Sequence, residues 1–196
     1  FAAVIFFAPE MGGYFIEKPN FMVVHACWDS QAIQRFKNVS KNHCIDMDFL
    51  HASSIEGSFE SQLVDKLTRG TVLDLPDGES ILSKDGLVRH MFRTKFWSDN
   101  PQSYTDVVFQ PDPLPDFMAH RELSAIEKQK LLSYPLEEPP VFVGHYWMSG
   151  VPEPIQENIA CLDYSAVKYG KLVAYRMDDE QALDKSKFIW VEVEKE

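Results

Sequence analysis

Apolar residues fall along this chain in short runs and two helical stripes, and these set the elements the sequence predicts. Phe1–Phe7 and Phe21–Val24 are compact apolar runs rich in β-branched and aromatic residues, as short buried strands are. Met11-Gly12-Gly13 and Lys18-Pro19-Asn20 supply turns around Tyr14–Ile16. After His25, Asp29 or Ser30 can cap a short helix that carries Ile33 and Phe36 inward. A second helix is better marked. Ser58 precedes it, Phe59, Leu63 and Leu67 repeat at helical spacing, and Arg69-Gly70 closes it.

The next stretch reads as a hairpin: Thr71–Leu75, a Pro76-Asp77-Gly78 turn, and a strand over Leu87–Trp97 after Asp85-Gly86. Ser98 to Asp116 is rich in Pro, Asp, Asn and Ser, which predicts a long surface loop. A helix is expected over Arg121 to Leu132 with Leu123, Ile126 and Leu131 on one side. The chain then turns to strands: Val141–Val143, Ile159–Leu162, Leu172–Tyr175 and Phe188–Val193, separated by Gly, Pro and acidic turns. Strands at both ends with helices between them predict a mixed α/β or α+β sheet protein.

Composition narrows the partners. Of 196 residues, 19 are Lys or Arg and 30 are Asp or Glu, for a net charge of −11. That balance excludes a non-specific nucleic-acid binder and leaves no polybasic patch for an anionic membrane. Three cysteines (Cys27, Cys44, Cys161) with no CxxC argue against a disulfide scaffold and fit a reducing compartment, so a cytoplasmic location is expected. The chain opens on Phe1, and Phe1–Ala8 is too short to span a bilayer and lacks a basic flank.

Candidate chemistry rests on two histidines of six. Val23-Val24-His25 and Val141-Phe142-Val143-Gly144-His145 each place an imidazole directly after an apolar strand. Strand ends are where ligand-binding side chains converge, and neutral imidazole is a common metal ligand. Gly144 permits a tight turn or a close approach before His145. The competing reading of either residue alone is a hydrogen-bonded structural histidine.

Four segments sharpen this. His25-Ala26-Cys27-Trp28-Asp29, Gly144-His145-Tyr146-Trp147, Asn158–Ser165 and Gly170–Arg176 resemble, in order and spacing, the calcineurin-like metallophosphoesterases. The nearest branch is the bacterial one related to serine/threonine protein phosphatases and diadenosine tetraphosphatases. The resemblance runs from about Tyr14 to the C-terminus, and is loose over 40–70 and 98–135. It implies the C-terminal part of a four-layer α/β/β/α sandwich, with residues 1–196 a portion of one domain. It further implies two divalent ions, manganese first with iron or zinc as alternatives, that activate a water for phosphoester hydrolysis. His25 and His145 match the histidines that hold the second ion; Trp147 stands where some relatives carry a further ligand.

The chain departs from the family on the other half of the site. The Asp-x-His, Gly-Asp-x-x-Asp-Arg-Gly and Gly-Asn-His-Glu segments should precede His25, and none occurs. Asn42-His43 follows His25, is succeeded by Cys44, and is read as coincidence. The catalytic acid and the remaining ligands are therefore expected upstream, and the chain alone is expected to hold half a site without activity. Family members add an arginine clamp on phosphate between the two histidine segments. Arg93 is the candidate here, with Arg89 and Lys95 as lesser ones, since a guanidinium grips phosphate by two parallel bonds.

The remaining conspicuous residues read as structural. Trp28, Trp97 and Trp147 wall the cleft or fill the core, Cys27 and Cys161 are small buried hydrophobes, and Asp29 is a helix cap. Asp178–Glu180 and Glu192–Glu196 read as solvated surface. The expected substrate is a phosphoprotein, a dinucleoside polyphosphate or a small phosphoester. The rival is a non-catalytic binding or scaffold protein on the same fold. A mononuclear hydrolase using His25 and His145 lacks carboxylate partners at matching spacing.

Overall fold

The Lys18-Pro19-Asn20 turn folds β1 (Phe15–Glu17) back onto β2 (Met22–Val24) as an antiparallel hairpin closed by the Lys18 N–H on the Phe21 carbonyl at 2.9 Å. The computed structural model describes residues 14–40, 45–82, 86–109 and 114–194. The predicted Phe1–Phe7 strand, the Met11-Gly12-Gly13 turn, Asn42-His43, Cys44 and Asp85 lie outside the described residues. Asp29 caps α1 (Ser30–Val39) by accepting the Ala32 N–H at 2.9 Å, and Ile33 and Phe36 are buried as the spacing predicts. α3 (Phe59–Arg69) follows the predicted stripe, with Leu63 and Leu67 buried and the Ser58 hydroxyl accepting the Ser61 N–H. Between them lies α2 (Met47–Ser53), which buries no residue and so left no stripe to read.

The chain forms two compact units, one from the segments Phe1–Arg69 and Pro135–Glu196, the other from Gly70–Tyr134. In the second, β3 (Val72–Asp74) pairs with β6 (Met91–Thr94), and the short hairpin of β4 (Ile81–Leu82) and β5 (Val88–Arg89) sits between them in the chain. The predicted Leu87–Trp97 strand is thus interrupted at His90, whose carbonyl accepts the Leu75 N–H at 2.7 Å. The predicted loop over Ser98–Asp116 is corrected as well. It contains α4 (Tyr104–Val107) and β7 (Val108–Phe109), and Tyr104, Val107 and Val108 are core residues beside Leu73, Leu75, Phe92, Met118 and Leu123. Its polar residues are capping groups, since the Asp106 carboxylate accepts the Ser103 and Gln102 N–H groups. α5 (Asp116–Ala119) follows, and the helix predicted over Arg121 to Leu132 shrinks to α6 (Ala125–Lys130), opened by a Ser124–Glu127 capping box. Ile126, expected inward, is 70% exposed.

The first unit resumes with β8 (Val141–Val143) and β9 (Ile159–Cys161), which extend β1–β2 into a four-stranded sheet of order β1-β2-β8-β9. β2, β8 and β9 run parallel, in register Met22↔Val141 and Val143↔Cys161. A second, antiparallel sheet joins β10 (Asp163–Tyr164), β11 (Lys171–Tyr175) and β12 (Phe188–Glu192). Phe142, Ala160, Tyr164, Val173, Leu183 and Phe188 pack together, so the two sheets share one apolar layer, which Phe21 and Val23 also touch. α1 reaches the first sheet through an edge-to-face contact of Phe15 on Phe36 at 6.1 Å, and α3 through the Ala26 N–H on the Leu67 carbonyl. The mixed α/β class therefore holds. No helix among the described residues is long and apolar enough to cross a membrane.

Candidate metal centre at the parallel strand ends

The parallel register decides which side chains meet at the carboxyl edge of the first sheet. Val24 and Val143 are fully buried, and one residue beyond the paired stretch the Gly144 N–H donates to the His25 carbonyl at 2.9 Å. That bond carries the ladder past the strand ends and brings His25 and His145 to adjacent positions. Their imidazole rings lie 5.3 Å apart, centre to centre, inclined at 60°. Both residues are half-buried, and the Tyr146 ring meets that of His145 edge-to-face with centres 5.8 Å apart.

His145 itself is in an unusual backbone state. Its φ is +66°, and the Tyr146 N–H donates to the Gly144 carbonyl at 2.7 Å. A two-residue hydrogen bond around a positive φ is the rarer, strained form of γ-turn. Trp147 also has positive φ, at +47°. It does not fill the core: it is 53% exposed, with the Lys168 ammonium 3.7 Å above its ring. Nothing in the sequence around Trp147 announces this; only Gly144 hinted at a turn.

The donor set fits a shared ion in part. Two imidazoles bound to one divalent ion at about 2.1 Å per bond have ring centres roughly 4.5–5.5 Å apart, and the observed spacing lies in that range. Among the described residues no group of three His, Cys, Asp or Glu side chains is placed to hold a metal. Neighbouring acids and thiols have other tasks. The Asp163 carboxylate is buried and accepts the Ser165 N–H at 3.0 Å. Burial pushes the Cys161 thiol up to about 12, and burial followed by the Asp29 charge does the same to Cys27. The Cys27 thiol donates to the Lys66 carbonyl at 3.1 Å and the Cys161 thiol to the Gly144 carbonyl at 3.5 Å. Asp29 serves as the predicted cap and also pairs with the Lys66 ammonium at 2.7 Å.

Arg93 belongs to the second unit, half-buried on β6 opposite Val72 and Phe109. Arg89 is exposed on β5, and Lys95 follows β6 with its backbone N–H on the Val107 carbonyl. The structure thus brings the two histidines together within one unit and places the three cationic candidates in the other. Compared with known proteins, the chain matches no family model, no curated protein and no solved structure.

Proposed function

We propose that this chain is the C-terminal portion of a cytoplasmic, metal-dependent phosphoester hydrolase built as a four-layer α/β/β/α sandwich. The observation that carries the reading is the pair His25 and His145, set 5.3 Å apart at the ends of neighbouring parallel strands. The resemblance of the surrounding segments assigns both to one ion of a two-metal centre. Divalent ions there, manganese by preference, would supply Lewis acidity toward phosphate oxygens and an activated water.

The chain's own residues supply position. The Gly144 bond to the His25 carbonyl fixes the spacing of the two backbones, and the γ-turn sets the backbone at His145. Tyr146, buried at its side, limits where that ring can swing. The partner is a phosphorylated substrate, whether phosphoprotein, dinucleoside polyphosphate or small phosphoester. A local ion charge outweighs a global −11 in holding such an anion.

Metal retention tests this directly. After dialysis against manganese the chain is expected to hold an ion that His25→Ala and His145→Ala each release; full metal content in both variants would sink the assignment. In a protein that includes upstream Asp-x-His and Asn-His-Glu segments, manganese-stimulated hydrolysis of p-nitrophenyl phosphate is expected and is lost with His145→Ala. Metal retention without any hydrolysis there would favour a non-catalytic protein on the same fold.

A further inference from the structure

Among the described residues nine cations are neutralised within the chain. Lys37, Lys66, Arg69, Arg121, Lys130, Lys171, Arg176, Lys185 and Lys187 all pair with carboxylates within the structure. Two lysines of the second unit do not follow this rule. The Lys128 ammonium donates to the Gln102 side-chain oxygen at 2.6 Å, and Lys95 reaches only the Thr105 carbonyl at 3.4 Å. Both line one cleft of about 220 Å³, together with the polar groups of Ser98, Asn100 and Ser133. Pro101, Val107, Leu131 and Leu132 complete its wall, and no acidic residue lines it among the described residues.

The cleft wall is held in shape. The Gln102 amide donates to the Asn100 backbone and side-chain oxygens at 2.8 and 3.0 Å, which turns its own oxygen toward Lys128. Asp106 is the carboxylate near Lys95, and it is committed to the Ser103 and Gln102 N–H groups and the Ser103 hydroxyl. By contrast, the cleft between α1 and α3 also contains a lysine, Lys66, but there Asp29 neutralises it.

We infer that the second unit binds a small phosphorylated molecule in this cleft, its phosphate between Lys95 and Lys128 and its organic part against Leu131 and Leu132. Two ammonium groups with the Ser133 hydroxyl and the Asn100 amide suit a dianion with several acceptor oxygens; the Ser98 hydroxyl is spent on the Asp106 carbonyl. The volume is roughly fifteen times what one water needs yet below the ~300 Å³ at which drug-sized sites begin, so the body attached to the phosphate is short. The site is independent of any metal at His25 and His145.

Calorimetric titration with propyl phosphate, in EDTA and at low salt, tests it on the full chain. Binding is expected, tighter than for inorganic phosphate and undetectable for propanol. Lys95→Gln and Lys128→Gln each weaken it about tenfold, as does Ser133→Glu at an exposed position, which covers the case of a lysine variant that misfolds. Lys130→Gln and His145→Ala leave it unchanged. Three results overturn the inference: no binding of propyl phosphate, an equal loss with Lys130→Gln, which would mean diffuse attraction, or a loss with His145→Ala.

Discussion

His145 sits in a backbone conformation that its own side chain disfavours. A non-glycine residue at positive φ costs about 1–3 kcal/mol, and such strain gathers where a side chain must be aimed. His145→Gly removes the strain and the imidazole together. We expect the variant to melt at the same temperature or a few degrees higher while losing manganese; a clear drop in melting temperature would mean that the imidazole itself holds the turn. The cysteines make the opposite point. With Cys27 and Cys161 buried and their thiols pushed up to about 12, neither ionises at neutral pH. In a Cys44→Ser background, native protein should therefore show no fast reaction with a thiol reagent, and the denatured protein two equivalents.

At the scale of elements, the turn between β10 and β11 tolerates little. A Cβ on Gly170 would stand 2.0 Å from the Tyr164 carbonyl oxygen and 2.9 Å from that of Ser165. Backbone cannot yield as a flexible side chain does, so Gly170→Ala should cost about 2–3 kcal/mol in denaturant unfolding. Further along, Glu180 does not belong to a merely solvated acidic run. It accepts from the Tyr175 hydroxyl at 2.6 Å and pairs with Lys187 at 2.7 Å. Burial would raise its carboxyl, but the Lys187 and Tyr175 hydrogen bonds more than offset this and hold it at about 2, below the ordinary 4.5. A carboxyl lowered on folding stabilises the fold above 4.5 and loses that contribution as the pH falls toward 2. Glu180→Gln should flatten the stability profile through that window, read by urea titrations at stepped pH.

Elements were legible where one face is buried and the other wet. Leu63 and Leu67 could be read because α3 packs with the inward stripe its sequence shows. The apolar runs of β8 and β9 were legible because all their residues are buried. Tyr104 and Val107 were hidden because their apolar side chains stand among capping residues that read as loop. Ile126 misled for the converse reason, being apolar but turned outward. In the candidate site, strand endings pointed to His25 and His145, but their spacing depends on a parallel register that no local pattern carries.

For the molecule as a whole, β2 pairs with β8 although α1, α2, α3 and all of Gly70–Tyr134 lie between them in the chain. Closing so long a loop precedes any return from the contacts it makes, and pairing of this kind is slow. Helices α1 and α3, built from local contacts, need not wait for it. On refolding in stopped flow, the far-UV helical signal should return before manganese is captured, and simultaneous recovery would contradict a late β2–β8 closure. If His25 and His145 hold an ion as proposed, each is a lone monodentate donor until that closure, and chelation begins only when the strands dock. An ion held by both would act as a clasp across the slowest-forming seam, so the affinity of the site and the persistence of the sheet become one quantity.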